Sequence, residues 1–408
     1  MAGELAPREL GAARAWALAR QLAQSPLFLL GLALALLRRL VAGARLRGPL
    51  LRFGSHGRNA CRPPVGSIIG TVSRLNVFPA KSMRGVPVEH ARVDRNGLFW
   101  DRQIMVINRN KVPTTQRMLP ELARVEVTAL APDGSALTLR APGAVPPMRL
   151  DLAAARARGP LETIDLHGMR AKCAPLGEEA DGWINAVLSE LGDRPRAGYR
   201  LMCIAAGESR RVDASVTRAL FRDTKPFDGT ALADLAPIAL TSEASLAALN
   251  RQAREAVPLD RFRSNIEMDT ELDLAFLEDH IQELQIGDLS LRVLGPTFRC
   301  VIPSVDQATG RAGFRSSKVS SAEPLATLKR LRPGGLRFGL TGLLPVGMGG
   351  SRSLAPLFGV YMGVSDAAVA GAIQVGDPIR VISYRDRRGP FGNMLAFVAD
   401  RLGVQHAT

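Results

Sequence analysis

Beyond Gly66 the chain runs in short apolar or alternating stretches broken by turn signals, and this spacing constrains the fold more than any other feature. Ser67–Val77, Gln103–Asn108, Leu122–Ala129 and Ala136–Arg140 each read as strands. Asn96-Gly97, Asn108 to Asn110 and Asp133-Gly134 separate them, and Asp133-Gly134 predicts a tight hairpin. The pattern gives a mostly β unit over about residues 67–170. Helical spacing then appears at Glu179–Leu191, with Trp183, Ile184, Val187 and Leu188 on one face. It recurs at Ser242–Arg254, with Thr241 or Ser242 as N-cap. Strands return at Leu284–Leu294, Arg299–Val305 and Pro378–Ile382, and a short helix spans Ala322–Leu331, starting near Pro324.

The 408 residues, 46% of them apolar, suit two or three folded units. The net charge of +15 invites a nucleic-acid reading, so its distribution matters. Residues 1–60 hold nine Arg against Glu4 and Glu9, while acids and bases are mixed elsewhere with no long basic run. A solvated, Arg-biased surface is the better reading, and nucleic acid is not an expected partner.

Within residues 1–60, an uncharged run from Leu27 to Leu37 is closed by Arg38 and Arg39. It falls short of the roughly 20 residues that span a bilayer. An organellar targeting segment or signal anchor, a secretory signal peptide and an amphipathic helix are the three readings. All place residues 1–60 outside the catalytic fold. Residues 333–356, rich in Gly, read as a loose loop that matches no phosphate-binding fingerprint. Pro390–Leu402 reads as an amphipathic helix.

Cys61, Cys173, Cys203 and Cys300 form no CxxC pair, which argues against zinc fingers and thioredoxin chemistry and favours reduced thiols. The chain has neither HExxH nor G-x-S-x-G, so zinc-hydrolase and α/β-hydrolase chemistry are not signalled. Cys300 follows Arg299, and a neighbouring cation favours the metal-binding, nucleophilic thiolate. Taken alone, a Cys before Val-Ile reads as a small core residue. Lys81-Ser82, Arg102 and Arg263-Ser264-Asn265 are further polar clusters. Alone each is surface charge; together they suit an anionic ligand.

The segments NVFPAKSMRGVPV, GLFWDRQIMVIN, LTSEASLAALNR, RFRSNI, LQIGDLSLRV, RCVIPSVDQATG, EPLATLKRLR, PLFGVYMGV and VGDPIRVI occur in this order. Over about residues 67–384 the chain resembles the mitochondrial amidoxime-reducing component family of the MOSC molybdenum-cofactor superfamily. The resemblance implies a mainly β fold with α (α+β), in which an N-terminal MOSC β-barrel domain (67–190) precedes a MOSC β-barrel domain with peripheral helices (191–384). A targeting and anchor segment (1–60) and an amphipathic tail (385–408) flank them. It implies a molybdopterin cofactor with Cys300 as thiolate ligand to molybdenum. Lys81, Ser82, Arg102, Arg263, Asn265, Arg299 and Tyr361 match cofactor-binding positions. The implied activity is two-electron reduction of N-hydroxylated compounds such as amidoximes and hydroxylamines, with release of water; some members of the family reduce nitrite to nitric oxide. Electrons would come from NADH through cytochrome b5 reductase and cytochrome b5. The implied location is the mitochondrial outer membrane, catalytic part facing the cytosol, or another organellar membrane. The chain departs from the family pattern at Phe298 (usually Ser), Leu235-Ala236 (usually Thr-Ser) and Ile281 (usually Trp). The second reading is a non-catalytic MOSC protein that binds or carries the cofactor or sulfur; the third is a MOSC-type scaffold without it.

Overall fold

Apolar residues on every second position of several strands need a common interior, and a closed barrel supplies one. A computed structural model describes residues 62–166, 168–211, 229–313, 322–332, 356–365 and 371–385. The 1–60 segment, nearly all of the 333–356 loop and the tail after 385 lie outside the described residues.

Seven strands close the barrel in the order Ile266–Asp269, Ile238–Ser242, Leu357–Val364, Leu289–Phe298, Ile281–Ile286, Pro378–Tyr384 and Ile68–Val77, which pairs back to the first. All neighbours are antiparallel except Ile238–Ser242 beside Ile266–Asp269. That parallel step needs a crossover, which begins with the helix Glu243–Asn250. Ser242 caps this helix, its hydroxyl accepting from Ser245 N. Register shifts between Val72 and Arg74 and between Val293 and Gly295 mark irregularities of the kind that bend strands around a barrel. Leu75, Leu284, Leu291, Ile379 and Val381 are fully buried inside.

A second layer follows in sequence. Glu162–Leu166, Met169–Pro175, Arg200–Ile204, Ile104–Ile107 and Pro113–Thr114 form a five-stranded sheet. The helix Glu178–Leu191 packs near it, burying Trp183, Ile184, Val187 and Leu188 as the spacing predicts. Glu126–Leu130, Ala136–Arg140 and Met148–Asp151 make a three-stranded sheet. One apolar core runs continuously from these sheets into the barrel.

Several details differ from the sequence pattern. Ile68–Val77 reads as part of the following β unit, yet it pairs with Ile266–Asp269 and Pro378–Tyr384 and completes the barrel. Leu284–Leu294 is not one strand but parts of two, joined at Gly287-Asp288, where Gly287 takes the left-handed φ of 54°. Arg299–Val305 is not a strand. The ladder stops at Phe298, and Ile302–Ser304 forms a 3₁₀ turn containing Pro303, which has no N–H to donate. Asp133-Gly134 does turn a hairpin, through a wider loop closed by Ala131 N donating to Ala136 O at 2.9 Å. The Ser242 helix ends at Asn250, four residues before the periodicity does. Among the described residues, no helix is long and apolar enough to cross a membrane.

Candidate functional site

Strand ends and turns carry the candidate residues except Tyr361, which lies inside a strand. Lys81 and Ser82 follow Ile68–Val77, Arg102 precedes Ile104–Ile107, and Arg263 to Asn265 precede Ile266–Asp269. Arg299 and Cys300 follow Leu289–Phe298, and Tyr361 lies within Leu357–Val364. Ser82, Arg102 and Arg263 adopt left-handed φ angles of 67°, 47° and 54°. Such non-glycine backbones cost about 1–3 kcal/mol each and gather where function constrains the chain.

Asn265 is the hub. Its Nδ2 donates to Asn76 O at 3.2 Å and to Asp101 Oδ1 at 2.8 Å. Its Oδ1 accepts from Ala239 N and from Arg102 Nη1, both at 3.1 Å. Both donors and both lone pairs are thus spent within the protein. Asn265 therefore fixes Arg102, which also pairs with Asp101. Asp101 Oδ1 in turn accepts from Phe78 N at 2.9 Å. The Phe78 ring carries two guanidinium groups, Arg102 at 4.6 Å and Arg263 at 4.5 Å.

Lys81 is buried and donates to Leu232 O at 2.8 Å while pairing with Asp234. Burial pulls its ammonium below the usual lysine range, and Asp234 opposes that shift. Arg299 is buried too. Its Nε donates to Phe358 O at 2.8 Å and its Nη1 to Phe262 O at 2.9 Å, but Nη2 has no hydrogen-bond partner among the described residues. The hydroxyls of Thr241 and Thr297 are likewise buried without a partner among the described residues. Gly359, at φ 68°, gives this corner its room. A Cβ there would lie 2.5 Å from Leu240 O and 3.4 Å from Arg299 Nη2. Cys300, next in sequence to Arg299, is a part-exposed free thiol.

Electrostatics tie the cluster together. Burial, and then the nearby Arg102, lower Arg263 to about 9, while Asp101, Asp260 and Asp234 oppose the shift. Burial lowers Arg299 to about 10, with Tyr361 and Cys300 opposing. Burial raises the Tyr361 phenol, which feels Arg299, Asp234, Cys300 and Arg102. The structure thus brings Lys81, Arg102, Arg263, Arg299, Tyr361 and Cys300 to one end of the barrel. Asn265 stands behind Arg102, and Ser82 is held by its carbonyl, which accepts from Gln116 Nε2 at 2.9 Å. Asp101 and Asp234 lie among four cationic groups, so an anionic ligand would offset buried positive charge that is otherwise costly.

Sequence reading missed four partners. Asp101 had a signal, an acid directly before Arg102. Asp234, Gln116 and Arg210 had none. Arg210 is 2% exposed and donates to Ala231 O and Ala233 O, tying down the segment that carries Asp234.

The closed seven-strand barrel belongs to a chain of the MOSC class, as two domain matches show. Residues 69–191 match the MOSC N-terminal beta barrel domain and residues 229–380 the MOSC domain. Within that class, the chain belongs to the mitochondrial amidoxime-reducing component family. It is 31% identical over 321 residues to human mitochondrial amidoxime-reducing component 1, covering 77% of this chain and 83% of that one. It is 29% identical over 318 residues to mitochondrial amidoxime reducing component 2 of Bos taurus, covering 76% and 83%. It is also 24% identical over 275 residues to the molybdenum cofactor sulfurase of Drosophila grimshawi, covering 65% of this chain and 31% of that protein.

Proposed function

We propose that the protein is a molybdenum-cofactor-dependent reductase of N-hydroxylated compounds, amidoximes and hydroxylamines, with nitrite as an additional substrate. The observation that carries this reading is the part-exposed Cys300 thiol next in sequence to Arg299, whose buried Nη2 has no hydrogen-bond partner among the described residues. A soft thiolate suits a redox metal, and an unsatisfied buried N–H calls for an acceptor. The residues therefore fit a metal-bearing, phosphorylated pterin. Cys300 would hold the metal, while Lys81, Ser82, Arg102, Arg263, Arg299 and Tyr361 would hold the pterin and its phosphate. When bound, that cofactor would supply two electrons for cleavage of the N–O bond of an N-hydroxylated compound, with uptake of two protons and release of water, or one electron and two protons for nitrite to give nitric oxide and water.

The chain's own residues bind and orient. Arg102 is aimed by Asn265 and Asp101, so it meets an anion without rearranging. Tyr361 keeps its phenolic proton because burial raises its pKa, and so serves as a donor. Exposed basic residues would dock an acidic electron donor, cytochrome b5 supplied by NADH-cytochrome b5 reductase, and reduction would slow as salt rises. Residues 1–60 would anchor the protein at the mitochondrial outer membrane with the barrel facing the cytosol.

The test is molybdenum and pterin analysis of protein made in a cofactor-competent host, with Cys300→Ala as control. Absence of molybdenum from the unmutated protein refutes the proposal. Where molybdenum is present, benzamidoxime is supplied with NADH, cytochrome b5 and its reductase, and turnover is expected. A second reading, a non-catalytic carrier of the cofactor, is favoured by apolar Phe298, Leu235 and Ala236 near the site. Bound cofactor with no turnover on amidoxime or nitrite would select it.

A further inference from the structure

Gln116 and Gln307 lie beneath the cationic cluster, 0% and 6% exposed. Their amides face each other. Gln116 Nε2 donates to Gln307 Oε1, and Gln307 Nε2 donates to Gln116 Oε1, both at 3.0 Å. The second N–H of Gln116 goes to Ser82 O at 2.9 Å, and that of Gln307 to Val305 O at 3.1 Å. Gln307 Oε1 then accepts a further bond, from Arg263 Nη1 at 3.0 Å. Every amide N–H is used. The orientation is also fixed, since a flipped Gln307 would set its NH₂ against the N–H groups of Arg263 and Gln116. The two residues at the ends of this chain of bonds, Ser82 and Arg263, both hold left-handed backbones. Such conformations persist only where the surroundings over-determine them.

We propose that the Gln116–Gln307 pair is a positioning device that holds Arg263 and the Lys81-Ser82 turn ready for an anion before the anion arrives. It acts on Arg263 through Gln307 and on Ser82 through Gln116. The proposal rests on the anion-binding part of the functional reading. It does not require that the anion be a molybdopterin. Preorganisation of this kind raises affinity by removing the cost of ordering the binding groups during association.

The experiment compares Gln307→Met, Arg263→Ala and the double variant in the full chain. Two quantities are read: molybdenum and pterin retained after gel filtration, and the Kd for inorganic phosphate of cofactor-free protein. Gln307→Met should weaken phosphate binding about tenfold, as expected for losing one hydrogen bond to a charged group. Because Gln307 acts through Arg263, the double variant should bind no worse than Arg263→Ala alone. Effects that multiply, or a Gln307→Met variant with unchanged affinity, overturn the proposal. If Gln307→Met fails to fold, Gln307→Asn, which draws the amide oxygen one methylene back from Arg263, takes its place with the same expectation. Protein that binds phosphate in this pattern but never carries molybdenum keeps the positioning claim and refutes the functional reading. Protein that binds neither refutes both.

Discussion

Glu278 allows a stability test independent of any cofactor. It lies in the 3₁₀ turn Leu277–His280, fully buried, and the Ser245 hydroxyl is 2.8 Å from one of its carboxyl oxygens and 3.1 Å from the other. The same hydroxyl accepts from Phe276 N at 2.8 Å. Burial, and then the adjacent Asp279, push this carboxyl from its ordinary 4.5 up to about 7, while Ser245 and Arg332 oppose the shift. The native state thus binds a proton between those limits that the unfolded chain releases. The stability this provides is complete below pH 4.5 and is lost as pH rises through 7. At 1.36 kcal/mol per pH unit, the loss between pH 5 and 8 is roughly 2–3 kcal/mol. Glu278→Gln removes the titrating group and keeps an oxygen that accepts from Ser245. Equilibrium urea unfolding of the two proteins at pH 5, 6, 7 and 8 gives their stability difference. It should move by that amount in favour of Glu278→Gln as pH rises. A difference flat to about 0.5 kcal/mol would refute the assignment of Glu278 as a buried neutral acid.

Gly359→Ala should lower stability by at least about 2 kcal/mol, because a Cβ at φ 68° would meet Leu240 O at 2.5 Å and Thr241 Cγ2 at 2.7 Å; thermal unfolding reads this, and an unchanged midpoint counts against the packing described. Glu162, paired with Arg200 and Lys111, is held down to about 2, so its stabilisation is present above pH 4.5 and fades as pH falls toward 2. Glu162→Gln should therefore cost about 1 kcal/mol at pH 6 after solvent screening and nothing near pH 2, measured by urea unfolding at both values. Leu75→Ala, at a fully buried position in the barrel, should cost about 2–5 kcal/mol in the same assay.

Local sequence determined the elements whose signals are local. Trp183, Ile184, Val187 and Leu188 announced the buried face of one helix, Ser242 announced the cap of another, and both appear in place. The ordered segments from NVFPAKSMRGVPV to VGDPIRVI carried the family and, through it, a mainly β fold. Tertiary structure decided everything that depends on partners far apart in the chain. Ile68–Val77 has the same alternation in any sheet, and only its pairing with Ile266–Asp269, almost two hundred residues away, places it in the barrel. The short ends of strands did the rest. A residue such as Asp234 or Gln307 has no periodicity to betray it, and its role exists only once Lys81 or Arg263 is folded against it. Sequence supplied the charges, but closure of the barrel decided that Lys81, Arg102, Arg263 and Arg299 share one buried site. A buried cluster of like charge gains little from local interactions and forms because the cores on either side compel it.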